Sequence, residues 1–86
     1  AVSREVAVGL ASGARERLGS DIGVGITGIA GPGGGSAEKP VGTVWIAVDV
    51  EGTVESERKL FSGDRAEIRS RSVQGALALV RRMLLA

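Results

Sequence analysis

The sequence predicts a layered α/β unit in which two helices cover a small mixed sheet of about three strands, two of them forming a hairpin. Three observations carry this. Apolar residues recur at helical spacing in the first 18 residues and again from residue 64 to the end. Residues 41–50 alternate aliphatic with other side chains at period two. Between them lies a short strand-like run with glycine at alternate positions, followed by a long glycine-rich loop.

The first helix begins at Ser3, a good N-cap residue, with Glu5 in the first turn at the positive end of the helix dipole. Val6, Leu10 and Ala14 make its expected apolar stripe, with Ala7, Ala11 and Leu18 beside them. Gly19 is placed to end it. Gly9 and Gly13 share one face, and each costs about 1 kcal/mol against Ala, so close packing of that face against a neighbour is expected. Residues 22–27 form the first strand, aliphatic at Ile22, Val24 and Ile26 and bare at Gly23 and Gly25, so that a helix or ligand can approach closely. Residues 28–40 form the loop, of a length that tends to be functional or disordered.

In the second strand Val44, Ile46, Val48 and Val50 share one face, with Thr43, Trp45, Ala47 and Asp49 on the other. Glu51-Gly52 turns the chain into a polar third strand, Thr53 to Phe61, whose charges mark a sheet edge. Asp64-Arg-Ala-Glu67 reads as a capping box with an acidic cap. Ile68, Val73, Leu77, Val80 and Leu84 then keep helical spacing to the C-terminus, where Arg81 and Arg82 complement the dipole. Three strands and two helices leave exposed edges, so more chain or another subunit is expected beside them.

Composition excludes several classes of function. The 86 residues allow one domain, 1–86. A net charge of +1 recruits neither nucleic acid nor anionic lipid, and no apolar run reaches the length of a membrane span. No Cys or His is present, so thiolate chemistry, imidazole bases and the commonest metal ligands are missing, and neither a metal nor a cofactor is expected. Nothing at the N-terminus resembles a signal peptide, and the expected compartment is the cytoplasm. The first residue is Ala and not Met, as in a processed or truncated chain.

Gly23-Val-Gly25-Ile-Thr-Gly28 matches the dinucleotide fingerprint literally, with Asp49 about 20 residues on. The context contradicts it, because Pro32 and further glycines follow in place of a helix. Lys39 lacks the neighbours of a Walker A loop.

The loop carries the stronger signal. Thr27 ends a buried strand and presents its hydroxyl at the carboxyl edge of the sheet, where α/β folds bind ligands. Gly28, Gly31, Gly33, Gly34 and Gly35 let backbone N–H groups approach an anion. Pro32 and Pro40 restrict the loop, and Lys39 adds a cation. Together they suit a phosphate, ribose or carboxamide of a nucleotide-sized ligand. Glycine content alone favours a flexible linker with glycine in place for turns. Arg65 at the start of the last helix and Arg69 one turn later form a second candidate for anion binding, against the plainer reading of a solvated helix face.

Val2-Ser3-Arg4-Glu5-Val6-Ala7, the 21 residues from Thr27 to Ala47, and Phe61-Ser-Gly-Asp-Arg65 with Ile68-Arg69 resemble the CinA C-terminal domain family. The resemblance implies half of a larger α/β/α domain and nicotinamide-nucleotide amidase activity, the hydrolysis of nicotinamide mononucleotide to nicotinate mononucleotide and ammonia. It also implies that the nucleophilic serine lies in an upstream Glu-Ser-Cys-Thr-Gly-Gly segment, and its assisting Tyr and Lys in another. Neither segment occurs here: there is no Tyr, and the two Lys residues, Lys39 and Lys59, lie outside such a context. The residues carried over are Thr27 and Arg65 in catalysis, with Gly28, Gly31, Pro32, Gly33, Gly34, Gly35, Lys39 and Arg69 against the ligand. Arg65 is favoured over Arg69 for the phosphate because it stands at the helix N-terminus. The implied partners are the nucleotide and the upstream half of the domain, with room for a homo-oligomer. The competing expectation is a nucleotide-binding or regulatory module without catalysis.

Overall fold

The computed structural model describes residues 3–28 and 42–85. The elements run α1 (Arg4–Leu18), β1 (Ile22–Gly28), β2 (Thr43–Val50), β3 (Thr53–Leu60) and α2 (Arg65–Leu85). The strands pair in the order β1-β2-β3. Both pairings are antiparallel, so these three strands do not make the mixed sheet expected. The reason is where the long loop closes: Gly28 at the end of β1 faces Val44 at the start of β2, so the chain returns at the same end of the sheet.

Local chemistry sets the boundaries as expected. The Ser3 hydroxyl accepts from the Val6 N–H at 3.2 Å. Gly19 ends α1 in the left-handed region at φ 61, with the Gly19 and Ser20 N–H groups donating to the carbonyls of Glu16 and Arg15. Glu51 and Gly52, at φ 51 and 95, give the hairpin a tight turn whose twist matches the strands.

Helix α1 buries a face other than the one its large side chains mark, and α2 buries only part of its apolar stripe. On α1 the fully buried residues are Ala7 and Ala11, whereas Val6 is 40% and Leu10 43% exposed, and Leu18 is also exposed. The cause lies in β1. A Cβ at Gly25 would fall on the carbonyl oxygen of Ala7, and one at Gly23 on that of Ala11. The helix backbone sits so close to the strand that only alanine fits between. Close approach is thus carried by the strand glycines, and the expectation for the helix glycines is corrected. Gly9 has open space where a side chain would point, and Gly13 meets only the Arg17 guanidinium.

On α2 the sheet-facing residues are Ile68, Ser72, Ala76 and Leu79, with Gly75 against Ile46. Of the stripe expected there, Ile68 is buried and Val80 partly so, while Val73, Leu77 and Leu84 are exposed. Ser72, Gly75 and Ala76 let the helix settle on β2 between Ile68 and Leu79, and Val73, Leu77 and Leu84 turn outward.

Two cores result. Val44, Ile46 and Val48 pack with Ile68, Ala76 and Leu79 on the α2 face. Ala7, Ala11 and Ala47 pack on the α1 face, with Val8 and Trp45 at its margin. Exposed Val24 lies on β1, whose outer edge carries no strand among the described residues. No helix among the described residues is long and apolar enough to cross a membrane.

Candidate functional site

A cavity of about 470 Å³ opens where β1 ends, β2 begins and the first two turns of α2 pass over them. Ile26, Val44, Ile68 and Val73 give it apolar walls, and Gly28 lies at the strand exit. Its polar groups are Arg65, Arg69 and Ser72, all from α2. Positions i, i+4 and i+7 of a helix share a face, which is how one element delivers all three. Half of this signal is visible in the sequence as the Arg65–Arg69 spacing. Ser72 is not, because a serine inside a helix has no pattern of its own.

The base of α2 is held firmly. The Glu67 N–H donates to the Asp64 carboxylate at 2.8 Å, and the Asp64 N–H donates to Glu67 Oε1 at 3.4 Å. The Asp64 carboxylate therefore already occupies one of the helix donors that an anion would use, and attraction for an anion passes to the Arg65 and Arg69 side chains. Neither guanidinium is ion-paired among the described residues. Gly42, at φ 84, is buried against Ile68, and its carbonyl accepts from the Phe61 N–H at 3.0 Å. It sets the start of β2 against the cavity floor, a requirement that sequence reading missed.

The structure does not bring every expected residue into this cavity. Gly28 lines it, and its lack of a side chain is required by β2, since a Cβ would meet the Thr43 carbonyl at 2.6 Å. Thr27 pairs with Trp45 and shares its sheet face, the α1 side, so the sheet separates its side chain from Arg65 and Arg69. Gly31, Pro32, Gly33, Gly34, Gly35 and Lys39 lie outside the described residues.

Other charged groups are engaged in holding the fold. Asp49, only 1% exposed, accepts from the Ser12 hydroxyl at 2.7 Å and the Gly52 N–H at 2.7 Å, and pairs with Arg15 Nε at 2.9 Å. The Ser12 hydrogen bond outweighs burial and, with Arg15 and Gly52, holds this carboxyl below the usual carboxylate range. Arg82 does more than complement the dipole, because it reaches Glu57 at 2.9 Å and Glu55 at 3.4 Å on β3. Among the described residues no three His, Cys, Asp or Glu side chains gather as a metal site.

The cavity thus offers two guanidiniums at its mouth, apolar walls and one buried hydroxyl. It can bind a ligand that is anionic at one end and apolar in the middle. Among its described residues no nucleophile stands beside a base.

Fold and cavity together define an α/β unit with an arginine-lined pocket at the exit of its first strand. The family model for the CinA C-terminal domain matches residues 1–84, and the chain belongs to that family. A CinA-like protein of Gemmatimonas aurantiaca is 61% identical over 82 residues, 95% of this chain and 19% of that protein. One of Koribacter versatilis is 59% identical over 86 residues, 99% of this chain and 20% of that protein. Among solved structures, the competence/damage inducible protein CihA from Agrobacterium tumefaciens matches with a TM-score of 0.87 at 43% identity, over 94% of this chain and 50% of that one. A competence-damaged protein (CinA) superfamily protein from Escherichia coli matches with a TM-score of 0.85 at 38% identity, over 95% and 48%. The chain spans about half the length of these solved relatives and about a fifth of the other two.

Proposed function

We propose that this chain supplies the ligand-binding part of a cytoplasmic amidohydrolase that converts nicotinamide mononucleotide to nicotinate mononucleotide and ammonia. The observation that carries the reading is the pair Arg65 and Arg69 at the mouth of a cavity with apolar walls. Two guanidiniums suit the phosphate, and Ile26, Val44, Ile68 and Val73 suit a flat pyridine ring. Thr27 stands at the strand exit, on the far side of the sheet from the arginines.

The chemistry is acyl transfer at a carboxamide. A serine from outside this chain, activated by a Lys/Tyr pair, attacks the amide carbon, ammonia leaves, and water releases the acid. Loop N–H groups are candidates for stabilising the oxyanion. The remaining half of the domain is the natural cover for Val24 and for the exposed aliphatics of α1 and α2.

Ammonia release from nicotinamide mononucleotide by the complete polypeptide, with and without EDTA, tests the activity. Turnover that survives EDTA is expected. Turnover abolished by EDTA and restored by zinc overturns the metal-free scheme. The cavity's lack of a nucleophile and base among its described residues favours a second reading, a nucleotide-binding module, which predicts binding without turnover.

A further inference from the structure

We propose that Ser72 makes the cavity selective for a neutral head group bearing an N–H or O–H donor over a carboxylate. The inference rests on the function proposed above and names the group that separates substrate from product. Ser72 is 5% exposed and lines the cavity between the apolar walls. Its Oγ lies 2.7 Å from the carbonyl oxygen of Ile68. A carbonyl only accepts, so the hydroxyl proton is committed to Ile68 and the Ser72 oxygen has acceptor capacity alone to offer a ligand.

An acceptor buried in this way discriminates. The –NH2 of a carboxamide can donate to it. A carboxylate has no proton to give and would set its lone pairs against those of Oγ, losing the hydrogen bond that the amide makes. Placement fits a ligand with two different ends. At 1.5 Å of rise per residue, Ser72 lies roughly 4.5 Å along α2 from Arg69 and roughly 10.5 Å from Arg65. The phosphate end meets the cations and the head group meets the hydroxyl. An enzyme that turns amide into acid then holds its substrate and loosens its product at the same atom.

Calorimetric titration of the complete polypeptide, its upstream nucleophilic serine replaced by alanine so that the amide is bound and not hydrolysed, with nicotinamide mononucleotide and with nicotinate mononucleotide, both with Ser72 unaltered and with Ser72→Ala, tests this. Alanine keeps the small volume and favours helix, and thermal melts establish that the variant is folded. With Ser72 unaltered the protein is expected to prefer the amide. In Ser72→Ala that preference should shrink roughly tenfold, mainly through loss of amide affinity, as removal of one hydrogen bond with a buried partner implies. If both nucleotides bind and the ratio of their dissociation constants is unchanged, or both weaken equally, the hydroxyl serves only the helix and the inference falls alone. If neither nucleotide binds the protein with Ser72 unaltered, the proposed function falls and takes this inference with it.

Discussion

The carboxylate of Asp49 in β2 lies 2.7 Å from the hydroxyl of Ser12 in α1. Through that oxygen, the Arg15 ion pair and the Gly52 N–H, one buried side chain joins the first helix, the central strand and the hairpin turn. The residue whose spacing completes the rejected dinucleotide fingerprint is a structural tie.

Its titration has a definite sign. The folded-state pKa lies below the ordinary value of 3.8, so the carboxylate form stabilises the fold at pH values above that. The contribution is lost as pH falls through the folded value. Thermal melts between neutral pH and about pH 3 should show the unaltered protein losing stability faster than Asp49→Asn at the acid end, with the variant several degrees less stable at neutral pH. Parallel pH profiles would refute the assignment.

Gly25→Ala should destabilise by about 1–3 kcal/mol, because the new methyl falls on the Ala7 carbonyl and the helix must lift from the strand. Gly9→Ala should stabilise by roughly 0.5–1 kcal/mol, since that position is helical and open. Denaturant unfolding of the two variants gives opposite signs if the strand glycines, and not the helix glycines, set the contact.

Arg65→Ala and Arg69→Ala should each raise the dissociation constant for a phosphorylated ligand about tenfold. Loss of a charge-assisted hydrogen bond is worth about 1.5–3 kcal/mol, and tenfold corresponds to 1.4 kcal/mol. Titration of the complete polypeptide measures it. An effect at Arg69 alone would move the phosphate one turn along α2, and an effect at neither would return both to the solvated face.

Leu10→Ser and Leu77→Ser should cost the isolated 86-residue chain little, because these side chains are 43% and 63% exposed within it. The same changes should lower the melting temperature of the complete polypeptide markedly, and the isolated chain should release no ammonia from nicotinamide mononucleotide. Equal effects in both contexts would mean that no further part of the domain covers these aliphatics.

What the amino-acid sequence determined by itself is the set of elements and their ends. The signals are local: Ser3 and Gly19 bracket α1, Glu51-Gly52 makes the turn, and Asp64 with Glu67 starts α2. The pairing of Arg65 with Arg69 was legible for the same reason, since helical spacing is fixed by the backbone. Only the tertiary structure decided which face each helix buries. Amphipathic spacing points to Val6, Leu10, Val73 and Leu77, but the glycines of β1 draw α1 close enough to admit only alanine, and α2 settles on Ile46 through Ile68, Ser72, Gly75, Ala76 and Leu79. Register, in turn, placed Thr27 across the sheet from the arginines, and packing placed Ser72 in the cavity. Both depend on contacts between residues far apart in the chain, which local patterning does not encode.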